Sequence, residues 1–315
     1  MKKSLLCQAG PRALARIRER GLAPQDVRLI LGASGAAKWL GIKGLDAAIF
    51  GEFLADVDKP VTLWGTSIGA WKLAAACRKN PVAAFDLLAD NYIHQYYKKG
   101  DGRREVDLEA KRIVGAFLPE ESIEEILHSE RFRLHFSVAR CRGGLASDKV
   151  FPMLLGLGKA FIGNLKGREG FIAGFDRVLF CDARGDETFN LEIKGATRVG
   201  LTRKNFRAAL LATGSIPIVM SAVTDIPGAG PGTYRDGGLM DYHPMPPAPL
   251  DEGIVLYPHF YPEVVPGWFD KKIPKRRASP SDLSDVLLLS PSPEFVASLP
   301  YGRIPDRKDF KRFVG

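Results

Sequence analysis

The sequence predicts an α/β fold: a three-layer α/β/α sandwich in which helices cover both faces of a central, mainly parallel sheet. Three observations predict it. Short apolar runs that read as buried strands alternate with longer helical stretches, the order that builds a parallel sheet through helical crossovers. One such run, Val61-Thr62-Leu63-Trp64, turns sharply through Gly65-Thr66-Ser67-Ile68-Gly69 into the helical stretch Ala70-Trp71-Lys72-Leu73-Ala74-Ala75-Ala76. The chain of 315 residues, 45% hydrophobic and 26% charged, has an ordinary globular composition and can bury one substantial core, so a single domain spanning 1–315 is expected.

Taken in order, a basic helix is expected at 11–20, and the first strand at Val27-Arg28-Leu29-Ile30-Leu31. That strand runs into Gly32-Ala33-Ser34-Gly35-Ala36-Ala37-Lys38, a loop of small residues that opens a helix. The strand and helix around Ser67 follow, with helix continuing to Asn91. Ser122-Ile123-Glu124-Glu125 places Ser and Glu three apart, as in a capping box, and predicts a helix start at Ser122. Strands recur at 134–141, 178–181 and 198–201, and a helix at 202–213 is stopped by Gly214 and Pro217. The strand ending in Asp236, then strands at 253–257 and 285–290, complete the sheet. No internal repeat is visible.

The turn at Ser67 reads as a nucleophile elbow. Gly65 and Gly69 flank the serine because the turn strains the backbone and crowds its neighbours. The hydroxyl stands at a helix N-terminus, whose free N–H groups favour the negative charge that develops on attack. Two kinds of base are available. His243 and His259 lie downstream, in the chain order of a Ser-Asp-His triad. Asp236, in Thr233-Tyr234-Arg235-Asp236-Gly237-Gly238-Leu239, can act alone if it is held close and partly desolvated, and Gly237 and Gly238 let the backbone pass near the elbow. Only about two strands precede Ser67, fewer than a triad hydrolase places before its elbow. The loop Gly32, Ala33, Ser34, Gly35 exposes backbone N–H groups that form an oxyanion hole if it lies beside the elbow. Gly41-Ile42-Lys43-Gly44 ranks second for that role, because it falls inside the expected helix, where amides are already hydrogen-bonded.

Together, the glycine-rich loop, the Gly-x-Ser-x-Gly elbow and the distant Asp-Gly-Gly resemble the patatin-like phospholipases. The resemblance extends from the strand before Gly32 to just past Asp236. It includes Ala212-Thr213-Gly214-Ser215-Ile216-Pro217, similar to the helix end that precedes the Asp-Gly-Gly strand in that family. It implies a patatin-like fold, Ser67 as nucleophile with Asp236 as its only side-chain partner, and acyl-enzyme hydrolysis of phospholipid or another acyl-ester lipid with no metal or cofactor. The loop departs from the family pattern: Ala33 and Ser34 interrupt the glycines and Lys38 comes one place late. A His-assisted esterase or acyltransferase, or a lipid-binding scaffold without turnover, are the alternative readings.

The net charge of +9 fits an anionic partner. The basic residues are not interleaved with aromatics in a nucleic-acid module, so nucleic acid is excluded and peripheral contact with an anionic membrane is expected. Two segments carry that expectation: the basic cluster Lys271-Lys272-Ile273-Pro274-Lys275-Arg276-Arg277, and the apolar stretch 150–165, read as part of a lid or interfacial segment at about 150–175. That stretch is too short to span a bilayer. The start at Met1-Lys2-Lys3 lacks the apolar length of a signal peptide, so a cytoplasmic protein is expected. Cys7, Cys77, Cys141 and Cys181 are too scattered for a disulfide framework or a metal site, and are expected to be reduced and mostly buried.

Overall fold

The computed structural model describes residues 4–167, 171, 174–185, 189 and 191–313. Its centre is built from strands that are mostly buried. β1 (Leu5–Ala9), β2 (Val27–Gly32), β3 (Val61–Gly65), β4 (Phe132–Cys141), β5 (Phe175–Cys181), β6 (Ala196–Gly200), β7 (Val223–Thr224), β8 (Thr233–Asp236), β9 (Ile254–Pro258) and β10 (Val286–Pro291) form one sheet. Every residue of β3 and β9 is buried, as a sheet covered on both faces requires. The order is β1-β10-β9-β2-β3-β4-β5-β6, with β10 through β4 all parallel. The α/β class and the mainly parallel sheet agree with the sequence expectation.

The antiparallel pairings decide where the chemistry sits. The first half of β4 pairs with β3, ending at Gly65 opposite Phe136, and its second half pairs with β8, ending at Asp236 opposite Val138. β3 and β8 therefore approach head to head along β4, and the chain leaving β3 meets the end of β8 beside Ser137.

Helices α1 (Pro11–Arg20), α2 (Lys43–Ala48), α3 (Ile68–Ala76), α4 (Pro81–Ile93), α5 (Arg103–Phe117), α6 (Glu120–Leu127), α7 (Val150–Lys166) and α8 (Phe206–Thr213) surround the sheet. α3 is buried on all sides, which explains its alanines; only small residues let strand and helix backbones approach on every face. Its one charge, Lys72, bonds both carboxylate oxygens of the buried Asp46 at 2.9 and 3.0 Å, and Asp46 also accepts from Trp39 Nε1 at 2.8 Å. This pair ties α3 to α2 beneath the elbow.

Four expectations are corrected. Val27–Gly32 is the second strand; Leu5–Ala9 precedes it at the sheet edge, and its partner β10 lies at the other end of the chain, so no local pattern announces it. Ser122 is no cap: it is the third residue of α6, buried, and its hydroxyl donates to the Pro119 carbonyl at 2.6 Å. α8 begins at Phe206, after a turn in which Asn205 Oδ1 accepts from Thr202 N. The loop after β2 enters a tight 3-10 turn, Ala36–Ile42, before the α-helix. Cys77, Cys141 and Cys181 are buried as expected, and Cys7 is exposed.

Candidate active site

Ser67 joins β3 to α3 with φ 54° and ψ −131°, a left-handed conformation that a side-chain-bearing residue adopts only when its surroundings enforce it. The enforcing contacts are explicit. Ser67 N donates to Thr213 Oγ1 at 3.0 Å, and Thr213 Oγ1 donates to the Ser137 carbonyl at 2.7 Å. A Cβ on Gly69 would lie 2.2 Å from the Gly32 carbonyl oxygen, and one on Gly65 2.8 Å from Ala70 N. Glycine at both flanks is thus a backbone-on-backbone requirement, and Gly32 serves the same contact from the other side.

Asp236 is 169 residues away in sequence, yet its Oδ2 accepts from Ser67 Oγ at 2.9 Å while its Oδ1 accepts from Gly238 N at 2.7 Å. Both side chains are 7% exposed. Burial pushes the Asp236 carboxyl up to about 6, against the pull of the Gly238 N–H, the Ser67 hydroxyl and the cations Lys271 and Arg307. A Cβ on Gly237 would meet the Ser137 carbonyl at 2.0 Å, and one on Gly238 the Ser34 hydroxyl at 2.3 Å. The helix-end segment lies between the two partners: Thr213 clamps Ser67, and the Ser215 carbonyl accepts from Asp236 N at 3.1 Å.

The expected oxyanion loop, Gly32 to Gly35, reaches the cleft with its second half only. Ser34 N already donates to the Tyr242 carbonyl at 2.8 Å, and Ser34 Oγ donates to Thr66 Oγ1 at 2.8 Å. Gly32 and Ala33 do not line the cleft above Ser67; Ser34, Gly35 and Ala36 do. Among the described hydrogen bonds, none uses the N–H of Gly35, Ala36 or Ile68. Ala36, with φ 52°, was not anticipated. Gly41 packs against Ile304 and Gly44 faces open space, so the second-ranked loop has no part in the cleft.

The histidines form a separate buried pair. His259 Nε2 lies 3.1 Å from His243 Nδ1, which accepts from Val265 N at 2.9 Å, and His259 Nδ1 lies within hydrogen-bond distance of both the Tyr261 carbonyl, at 2.6 Å, and Tyr261 N, at 2.9 Å. Burial drives His243 well below the usual imidazole range and His259 down to about 3. Neither lines the cleft or bonds Ser67, so the structure does not place an imidazole where a triad needs one.

The cleft has a volume of about 200 Å³. Ile216, Pro217, Leu239 and Trp268 give it an apolar wall; Lys38, Lys271, Arg307 and Lys308 give it a cationic one. The basic cluster of the sequence is therefore divided. Lys271 turns to the cleft, with Nζ 3.8 Å from the Tyr242 ring centroid. Arg276 pairs with the buried Asp270 at 2.9 Å and Arg277 with Glu263 at 2.9 Å, while Lys271, Lys272 and Lys275 are exposed. The apolar stretch is α7, seated on Met153, Gly156, Ala160 and Asn164, with Phe151 72% and Leu165 56% exposed. Asn164 Nδ2 donates to Asp270 Oδ1 at 3.0 Å, joining α7 to the segment that carries Trp268 and Lys271. Residues 168–170 and 172–173 of the expected lid lie outside the described residues.

Comparison with family models, curated proteins and solved structures gives no match.

Proposed function

We propose that this protein is a serine acyl hydrolase of the patatin-like kind, cleaving acyl-ester lipids through a Ser67–Asp236 dyad. The observation that carries the reading is the 2.9 Å bond from a strained elbow serine to a desolvated carboxylate with no imidazole at hand. Asp236 takes the hydroxyl proton as Ser67 Oγ bonds to the acyl carbon. The N–H groups of Gly35, Ala36 and Ile68 face the oxyanion, and Asp236 returns the proton to the departing alcohol oxygen. Water then gives a proton to Asp236 and cleaves the acyl-serine, releasing the acid and restoring the hydroxyl.

A fluorophosphonate probe tests this. It should phosphonylate Ser67 alone, and the labelling rate should rise with pH through about 6, because only the ionised Asp236 accepts the proton. Label on another residue, or a folded protein that takes none, overturns the dyad.

The lipid substrate is supported by the size of the cleft and by α7. About 200 Å³ is less than the ~300–1,000 Å³ of pockets that engulf whole ligands, so only the reacting end of an acyl chain enters. Around α7, the exposed sector holding Phe151, Leu154, Leu155 and Ile162 is bordered by Lys159 and Lys166, with no acidic residue in the helix. This arrangement suits an anionic lipid surface, with apolar side chains entering the acyl layer and lysines at the head groups. Among the described residues, no helix is long and apolar enough to cross a membrane. In the Ser67→Ala background, Leu155→Asp should weaken binding to anionic vesicles at least about tenfold in a sedimentation assay. Unchanged binding removes α7 from the membrane contact.

A further inference from the structure

Four cations, Lys38, Lys271, Arg307 and Lys308, line the cleft together with Asp236 and Asp306, and among the described residues none of the four is in an ion pair. Within one short segment, Arg276 and Arg277, which turn away from the cleft, have acidic partners at 2.9 Å, whereas Lys271, which turns into it, has none among the described residues. Its Nζ rests over the ring of Tyr242 and, at 5.3 Å, that of Trp268. Lys38 Nζ lies over Phe260 at 5.6 Å and Tyr261 at 5.9 Å, and Arg307 lines the same cleft, again with no ion pair among the described residues. Two carboxylates are nearby. Asp236 is engaged with Ser67 and Gly238, and Asp306 attracts Lys38 across the wall while its Oδ1 accepts from Lys308 N at 2.7 Å.

Burial and mutual repulsion hold both lysines down. Lys271 falls to about 7, through burial first and then the charges of Lys38 and Arg307, with Asp236 opposing; Lys38 is lowered by burial and by Arg307. Cations gathered from three distant chain segments repel one another until an anion sits between them. Ile216, Pro217 and Ser67 line the same cleft, and Trp268 lies beside Lys271.

We propose that Lys38, Lys271 and Arg307 form an anion subsite that holds a phosphate group on the alcohol side of the ester, while the reacting end of the acyl chain lies against Ile216 and Pro217. The inference deepens the acyl-hydrolase reading and rests on it for the ester, but the anion site itself needs no turnover.

Binding of inorganic phosphate to the Ser67→Ala protein, measured by calorimetry, tests the subsite apart from catalysis. Saturable binding is expected, weakened at least about tenfold by Lys271→Met and by Lys38→Met and preserved by Lys271→Arg. Absence of saturable binding, or equal affinity in the Met variants, overturns the subsite even if ester hydrolysis is found; binding with an inert Ser67 overturns the hydrolase instead. In the active protein, the ratio of kcat/KM for a soluble short-chain acyl glycerol phosphate to that for the uncharged acyl glycerol should fall at least about tenfold in Lys271→Met and recover in Lys271→Arg. A ratio that is unchanged on the soluble pair but lost on anionic vesicles assigns the cations to a head-group layer and overturns the subsite. Thermal melting of each variant shows that the protein compared is folded.

Discussion

Ser67→Ala and Asp236→Asn are each expected to lower ester hydrolysis at least about a thousandfold, measured as kcat/KM on a soluble short-chain ester. The serine supplies the bond-forming oxygen, so nothing replaces it. The asparagine keeps the shape and can still accept the Gly238 N–H, but it cannot take a proton. Because burial lifts the native carboxyl from 3.8 to about 6, the folded protein binds that proton more tightly than the unfolded chain does. This group therefore destabilises the fold as pH rises from about 4 to about 6, by about 3 kcal/mol, and the penalty persists above that. Asp236→Asn should remove this loss, giving an inactive protein more stable than wild type at pH 7 in urea unfolding. Loss of activity with a lower stability would instead mean that the fold had been damaged. His243→Ala and His259→Ala should cost about 1–3 kcal/mol each, from a broken buried hydrogen-bond chain, yet keep turnover within about tenfold. A loss of about ten thousandfold in either would restore the triad.

The elbow was legible in sequence because it is local: a buried strand, two glycines and an alanine-rich helix are contiguous, and their spacing carries the geometry. Asp236 was legible as the partner of Ser67 only through the family resemblance, since their meeting depends on β4 pairing with β3 along one half and β8 along the other, a register that no spacing reveals. The same limit hid Thr213 as the clamp on the Ser67 amide. It also hid the convergence of Lys38, Lys271 and Arg307, which come from three separate loops. Ser122 misled for the opposite reason. A Ser-x-x-Glu spacing is a local signal that a helix interior also produces, and Pro119, fixed in φ, had already set the start of α6.

Gly69→Ala tests whether the elbow is held by backbone contact or by its hydrogen bonds alone. The added methyl would lie 2.2 Å from the Gly32 oxygen and 2.3 Å from its carbonyl carbon, far inside contact distance, and neither atom belongs to a side chain that can turn away. Either α3 moves off β2 or the Gly32 loop moves out. The first opens the core around Leu73, and the second shifts the Gly35 and Ala36 amides from the oxyanion position. Overpacking of this kind costs about 3 kcal/mol, and displaced oxyanion donors cost about a hundredfold in kcat. The expected result is a protein with a lowered melting point, at least about a hundredfold lower kcat and slow fluorophosphonate labelling. Gly44→Ala is the control: its Cβ meets nothing within 4 Å, and it lies in α2, where alanine is the better helix former by up to about 1 kcal/mol. Its activity should match wild type with equal or higher stability. If Gly69→Ala behaved like Gly44→Ala, the close approach of α3 to Gly32 would have no part in setting the strained turn at Ser67.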